Sequence, residues 1–150
     1  MAKILVIYHS QGGNTKSAAK FVAQGAQAAG SRVELREAEK AKSKDLLECD
    51  GVAFGSPDYF NYIAGGLKDF FDRTFYPTQE KVAGKPYVAF ITHGGGGKAK
   101  GSIELLCRIF KFKKIAETLL IKQRPDSAAI IQLKELGKKL AEESTEKNHE

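Results

Sequence analysis

Residues 3–8 read Lys-Ile-Leu-Val-Ile-Tyr, and residues 9–15 continue with His-Ser-Gln-Gly-Gly-Asn-Thr. The first run is apolar and β-branched without alternation, which predicts a central parallel strand buried on both faces. From residue 14 onward apolar residues recur at helical spacing, with Asn14 or Thr15 as the expected N-cap and Gly30 just past the expected end. A strand, a glycine turn and a helix in this order open a βαβ unit, and this unit decides the fold class.

The alternation of strands and helices continues along the rest of the chain. Further strands are predicted at residues 31–36 (a half-exposed edge), 51–55, 86–92 and 118–122, and helices at 43–48, 67–75, 103–110 and 125–140. For residues 118–122 a continued helix stays open as the alternative. Because right-handed crossovers place helices on both faces of a parallel sheet, the pattern predicts an α/β fold, a three-layer doubly wound sandwich with a five-stranded parallel sheet.

Length and composition limit the organisation of the chain. A length of 150 residues fits one domain, expected at residues 1–143, with a frayed polar tail at 144–150. The apolar runs fall far short of the ~20 residues of a membrane span, and no signal peptide is expected before Lys3, so a cytoplasmic location is the expectation. Two cysteines and three scattered histidines supply neither a disulfide framework nor a zinc site, so no metal is expected.

The chain is basic, with 24 Lys and Arg against 18 Asp and Glu and a net charge of +6. Such a charge allows an acidic protein, an anionic lipid surface or nucleic acid as a partner. Much of the excess lies in a basic cluster at residues 98–122, where seven basic residues face two acidic ones. Nucleic acid is the weakest of these options because no aromatic stripe and no base-reading helix accompany the charge. A solvated surface remains the alternative interpretation of the cluster.

In doubly wound sheets ligands bind beyond the carboxyl ends of the strands, which directs attention to residues 9–15, 56–63 and 92–99. The first of these loops joins a buried strand to a helix N-terminus and contains hydroxyl, amide and glycine residues but no cation. Unpaired N–H groups and a positive helix dipole there favour a phosphate, although a turn without a ligand is the alternative. No G-x-x-x-x-G-K-[ST] loop is present, so nucleotide triphosphate hydrolysis is not expected. No G-x-G-x-x-G turn follows the first strand, so the fingerprint of a Rossmann-type dinucleotide fold is weak.

The other two loops differ in character. Residues 59–62 place three aromatic side chains within four positions, which suits a planar ligand or equally a cover over the top of the core. Residues 94–97 are four consecutive glycines, which would let a ligand approach the backbone closely or form a flexible lid.

Together these loops resemble the flavodoxin-like FMN-binding family over essentially the whole chain. The matching motifs are residues 8–15, residues 55–60 with 66–74, and residues 92–97, and the second of them is most similar to the NAD(P)H:quinone oxidoreductase and NADPH-dependent FMN reductase branch. The resemblance implies FMN as cofactor and the strand order 2-1-3-4-5. It also implies the cofactor contacts, namely Ser10, Gln11, Gly13, Asn14 and Thr15 at the phosphate, Pro57, Asp58, Tyr59, Phe60 and Asn61 along the ring and ribityl chain, and Thr92, His93, Gly94, Gly95 and Gly96 at the isoalloxazine.

Two functions follow from the resemblance. The first is an NAD(P)H-dependent oxidoreductase that passes electrons through FMN to quinones or similar small acceptors; a homodimer is compatible with it. Residues 92–102 contain no Phe, Tyr or Trp, so one flavin face is expected to be open to such substrates. The alternative is a flavodoxin-type electron carrier that docks to redox proteins, since quinone reductases of this branch are longer and often carry a segment that this chain lacks. A binding module without flavin is the remaining alternative.

No side chain is expected to be catalytic, because the flavin carries the redox chemistry. His93 is a candidate proton donor, since histidine titrates near neutrality, although a hydrogen bond to the backbone would equally explain a histidine in this loop; His9 has the same two interpretations. Lys98 or Lys100 is expected to stabilise the reduced flavin and raise its midpoint potential.

Overall fold

The structure is a computed structural model and describes residues 1–148. Seven strands and five helices alternate within these residues. In chain order they are β1 Lys3–Tyr8, α1 Asn14–Ala28, β2 Arg32–Glu37, α2 Ser43–Glu48, β3 Gly51–Tyr59, β4 Tyr62–Ile63, α3 Gly65–Thr78, β5 Pro86–His93, α4 Ala99–Ile109, β6 Lys113–Lys114, β7 Leu119–Lys122 and α5 Ser127–Asn148.

The sheet has β1 in its interior, paired in parallel with β2 on one side and β3 on the other. β5 follows β3, and both β6 and β7 pair in parallel with β5, so they share the fifth position. The predicted order 2-1-3-4-5, the edge position of β2 and the three-layer α/β sandwich are therefore confirmed. Residues 119–122 form a strand and not a continued helix, and the short antiparallel strand β4 beside β3 is an addition that the sequence did not predict.

The two faces of the sheet are covered by different helices. Successive residues of a strand point to opposite faces. Ile4 and Val6 accordingly pack in one cluster with residues of α1 and α5, whereas Leu5 and Ile7 pack in the other with residues of α2, α3 and α4. All four side chains are fully buried, which explains why the first run lacks polar alternation.

The helices α1 and α5 approach each other closely through two glycines. A Cβ atom on Gly25 would collide with the backbone carbonyl of Lys134, and one on Gly137 would collide with that of Val22. Because the obstructing atoms are backbone and not flexible side chains, neither helix can give way without shifting as a whole.

Residues 144–148, part of the tail expected to be frayed, are helical in the structure. The helix α5 continues to Asn148, and Ser144 is buried and donates a hydrogen bond to the Leu140 carbonyl. Ser144 also faces Gly51 at the start of β3, so the sheet itself provides a packing surface for this turn. Residues 149–150 lie outside the described residues. Among the described helices, none has the length and hydropathy needed to cross a bilayer.

We predict that Gly137→Ala lowers the free energy of unfolding by about 1–3 kcal/mol, because the added methyl group overpacks the α1–α5 contact. Gly101→Ala is the matched control. Gly101 lies in the exposed surface of α4, where a Cβ meets nothing within 4 Å, so that replacement should raise stability by about 0.5–1 kcal/mol. Urea unfolding followed by circular dichroism measures both, and equal effects of the two variants would contradict the packing argument.

Candidate functional site

A cavity of about 240 Å³ opens at the carboxyl edge of the sheet. The strand ends β1, β3 and β5 all reach this edge, since Tyr8 lies beside Gly55 and Pro57 lies beside Thr92 in the parallel register. The cavity is lined by Ser10, Gln11, Gly12, Asn14, Thr15, Pro57, Asp58, Tyr59, Thr92, His93, Gly94 and Gln123. The three loops selected from the sequence therefore meet around one space.

The first loop ends in the N-terminus of α1, which lacks a side-chain cap. The N-cap residue is Gly13, with φ of 100°. The sequence predicted Asn14 or Thr15 at that position, and this prediction is wrong. The N–H of Gly13 donates to Ser10 Oγ at 3.1 Å, which closes the turn, and the first backbone bond of the helix runs from the Ser17 N–H to the Gly13 carbonyl. The N–H groups of residues 14–16 have no partner in the helix, so this terminus favours an anion.

A buried pair of hydroxyl groups joins the first loop to the third. Thr15 Oγ1 and Thr92 Oγ1 lie 2.7 Å apart, and both side chains are almost fully buried. One hydroxyl donates and the other accepts, so each satisfies the other where water does not reach. This contact fixes the start of α1 against the end of β5 beneath the cavity.

The second loop is a β-hairpin, because β3 continues past Gly55 to Tyr59 and β4 returns beside it. The two residues at its tip, Phe60 and Asn61, have φ of 57° and 66°. Positive φ at both positions is the geometry of a type I′ turn, which matches the twist of a two-residue hairpin. Asn61 tolerates it, whereas Phe60 is a bulky residue in a costly conformation. The Phe60 side chain is also 101% exposed, directed away from the protein.

Asp58 connects this hairpin to the start of α4. Its Oδ1 accepts the N–H of Asn61 at 2.9 Å, and its Oδ2 accepts the N–H of Ala99 at 3.1 Å. The carboxylate thus stabilises the turn and also the positive end of the helix dipole of α4. The second and third loops are thereby held in one relative position.

The third loop runs from His93 to the start of α4. A Cβ on Gly94, Gly95 or Gly96 would meet nothing within 4 Å, so the backbone there is open to an approaching group. His93 Nδ1 is buried without a hydrogen-bond partner among the described residues. Such an atom is one that a bound ligand could satisfy.

The Tyr59 ring packs against the ring of His9. The His9 ring contacts the Tyr59 ring edge to face with 6.1 Å between centroids, and His9 Nδ1 bonds to Glu39 Oε1. A Cβ on Gly66 would collide with both partners of that bond, so a larger residue there would displace the His9–Glu39 pair. Partial burial raises the pKa of the Tyr59 hydroxyl above its usual range, which keeps the side chain neutral at physiological pH.

The basic cluster at residues 98–122 is partly neutralised in the structure. Glu104 and Glu117 both pair with Lys100 and Lys114, and these two lysines lower the pKa of Glu117 through hydrogen bonds. Lys98 is exposed and forms no ion pair within residues 1–148. The expected influence of Lys98 or Lys100 on a flavin stays a prediction, with Lys98 the less compensated of the two.

A family model described as a flavodoxin domain matches residues 5–140 of the chain. The chain belongs to the flavodoxin family. The match includes most of β1, all three loops of the cavity and most of α5.

Two curated relatives have different names. A flavodoxin from Aquifex aeolicus is 36% identical over 115 residues, covering 75% of this chain and 62% of that protein. An NAD(P)H dehydrogenase (quinone) from Archaeoglobus fulgidus is 31% identical over 138 residues, covering 73% of this chain and 72% of that protein. Among solved structures, a flavodoxin from the domain Archaea superposes with a TM-score of 0.89 at 26% identity, covering 95% of this chain and 99% of the other.

Ten of the residues predicted as cofactor contacts of this flavodoxin-family chain line the cavity. The other five, Gly13, Phe60, Asn61, Gly95 and Gly96, do not line it, although Gly13, Phe60 and Gly95 are next to lining residues in the sequence. Two lining residues were missed, Gly12 and Gln123. Gln123 follows the fifth parallel strand, and its N–H bonds to the His93 carbonyl at 2.8 Å. The rule that ligands bind beyond strand ends would have found it if applied to that strand too.

We predict that Thr92→Val lowers the free energy of unfolding by about 1–3 kcal/mol, because it leaves the Thr15 hydroxyl buried without a partner. The double variant Thr15→Val/Thr92→Val should lose less than the sum of the two single variants, since no orphaned hydroxyl remains. Urea unfolding without added cofactor measures the cycle, and strict additivity would contradict the direct bond.

Proposed function

We propose that the chain binds FMN in the cavity at the carboxyl edge and serves as a flavodoxin-type electron carrier between redox proteins. The observation that carries FMN binding is the uncapped N-terminus of α1, which opens on the cavity beside Ser10. Unpaired N–H groups and the helix dipole suit a phosphate monoester without requiring a cation.

The rest of the cavity fits the remainder of the cofactor. The open backbone of residues 94–96 would admit a planar ring, and the unpartnered His93 Nδ1 would pair with one of its polar atoms. Tyr59, held by His9, would provide an aromatic wall, and residues 57–58 would line the chain between ring and phosphate. When bound, FMN supplies the electron transfer, and the protein supplies binding, orientation and electrostatics.

The two curated relatives differ in how continuously they align with this chain, and this difference supports the carrier. The alignment with the Aquifex aeolicus flavodoxin is 115 positions long and includes 75% of the 150 residues of this chain, or about 113. This chain therefore has almost no gaps in that alignment. The alignment with the Archaeoglobus fulgidus dehydrogenase is 138 positions long but includes 73% of this chain, or about 110 residues. About 28 positions of that protein therefore have no counterpart in this chain. This chain therefore aligns more continuously with the flavodoxin than with the dehydrogenase, while it covers 62% of the former and 72% of the latter.

An NAD(P)H-dependent oxidoreductase acting on quinones or similar small acceptors, which the sequence favoured, is the second candidate. It is supported by the 31% identity to a protein named NAD(P)H dehydrogenase (quinone) and by the third loop, which presents glycine backbone and no aromatic side chain. Such an opening would let a nicotinamide approach within the ~3–3.5 Å that hydride transfer requires.

We predict that Gly13→Ala lowers the affinity for FMN by about tenfold or more, because an L-residue disfavours φ of 100° and the turn at the phosphate would shift. Gly30→Ala is the matched control. Gly30 flanks the other end of α1 with φ of 94° and the same open surroundings, so it should cost similar stability without affecting affinity. Fluorescence quenching titrations with FMN and with riboflavin measure the effect.

The riboflavin titration isolates the phosphate. Gly13→Ala should affect riboflavin binding little, since riboflavin has no phosphate to lose. Equal losses for both ligands would place the phosphate elsewhere, and failure of the unaltered chain to bind FMN would favour the binding module without flavin.

We predict that the FMN-loaded protein stays oxidised for minutes when mixed anaerobically with NADPH or NADH, because a carrier receives its electrons from a protein. The visible flavin absorbance measures this directly, with a general FMN reductase added afterwards to show that the bound flavin is reducible. Rapid bleaching by either nucleotide alone would reject the carrier and support the oxidoreductase.

A further inference from the structure

Four exposed cations surround the cavity. Lys16 follows the lining residue Thr15 in α1, and Lys98 precedes Ala99 at the start of α4. Lys122 ends β7 opposite His93, and Arg124 lies two residues beyond it, next to Gln123. None of the four forms an ion pair within residues 1–148. We call these four residues the basic rim.

The carboxylates near the basic rim do not neutralise it. Asp58 accepts the N–H of Asn61 and that of Ala99, at the first residue of α4. Asp126 likewise accepts the N–H of Ala129 at the start of α5, at 2.8 Å. Both acidic groups are therefore held by backbone N–H groups and helix dipoles, while the four cations remain free to attract an anion from outside.

An apolar side chain is exposed on the same side of the molecule. Phe60 is 101% exposed at the tip of the hairpin whose Asp58 contacts the start of α4. Holding a phenyl group in the left-handed region and in full contact with water is unfavourable on both counts, which indicates a contact made outside this chain. An apolar anchor within charged surroundings is the usual composition of a protein interface.

We propose that the face formed by the basic rim and Phe60 is the docking surface for a redox protein with an acidic surface. The proposal rests on the carrier role and deepens it by naming the partner's charge. Complementary charge steers two proteins together and orients them, and it accelerates association more than it tightens binding. The position of the rim places such a partner directly over the opening of the cavity, as short-range electron exchange requires.

A protein fits this surface better than a nucleotide phosphate does. The four cations come from three segments around the opening, at the starts of α1 and α4 and at the end of β7, whereas a phosphate group needs donors directed at a single position. Phe60 also adds an apolar contact that a phosphate cannot use.

The test uses the full chain loaded with FMN and, as probe, an acidic plant-type [2Fe–2S] ferredoxin, with a basic cytochrome c as the opposite probe. Association rates are measured by stopped flow and affinities by isothermal titration calorimetry, at ionic strengths from about 20 mM to about 300 mM. We expect binding to the ferredoxin that weakens as salt rises. The variant Lys98→Glu/Lys122→Glu should lower the association rate by about tenfold or more at low salt.

Two further variants control for net charge and for folding. Lys81→Glu/Lys113→Glu changes the net charge by the same amount at exposed residues near the amino edge of the sheet, and it should lower the rate much less. Arg124→Glu alone should have an intermediate effect. Thermal unfolding of each variant confirms that it is folded.

Several results would overturn the proposal. Equal losses in the two double variants would mean that only net charge matters, and tighter binding to cytochrome c would mean that the partner is basic. A rise in KM for NADPH but not NADH in Lys98→Glu/Lys122→Glu, with ferredoxin binding unchanged, would assign the rim to a nucleotide phosphate. Calorimetry with the ferredoxin is repeated on the chain without FMN, so that docking is measured separately from cofactor binding. Loss of docking would then reject this surface, whereas failure to bind FMN would reject the carrier.

Discussion

The burial of β1 is the constraint on which the rest of the structure depends. A strand with both faces and both edges inside the protein must pair every N–H and C=O with neighbouring strands. β2 and β3 supply those partners, and the connections between parallel strands must cross over through helices on the two faces. The carboxyl ends of β1, β3 and β5 consequently reach the same edge, and the cavity forms where the connections leave on opposite sides.

Glycine serves two opposite purposes in this chain. At Gly25 and Gly137 the missing Cβ lets two helices touch through their backbones, so those positions belong to packing. At Gly13 and residues 94–96 the space beside the backbone is empty, so those positions leave a surface to which a ligand can come close. The residue type is the same at all these positions. Only the neighbouring atoms in the folded structure distinguish a glycine needed for helix packing from a glycine at the candidate site.

The site is assembled from contacts between loops far apart in the chain. The bond between Thr15 and Thr92 joins the first loop to the third, and Asp58 joins the second loop to α4. Since the loops are positioned by one another as well as by the sheet, the cavity has a defined shape before any cofactor enters. Such preorganisation would suit the proposed carrier, because a cofactor held in a fixed position would exchange electrons with little rearrangement. The charged groups near the cavity are also divided between two roles. Asp58 and Asp126 accept backbone N–H groups at helix starts, whereas the nearby cations form no ion pair within residues 1–148 and face solvent.

The sequence by itself determined the fold class, the edge strand and the three loops, because hydrophobic periodicity and turn residues are local signals that mark buried faces directly. The strand order came from the resemblance of its motifs to a known family. It did not determine which residues face the cavity. The outward direction of Phe60, the position of Gln123 beside His93 and the pairing of Lys100 with Glu117 all depend on residues that meet only after folding. The helical conformation of residues 144–148 was not predicted for the same reason. Ser144 is a polar residue, and it becomes buried only because α5 packs against β3. Local pattern fixes which face of an element is buried, and tertiary packing decides which atoms from distant segments meet there.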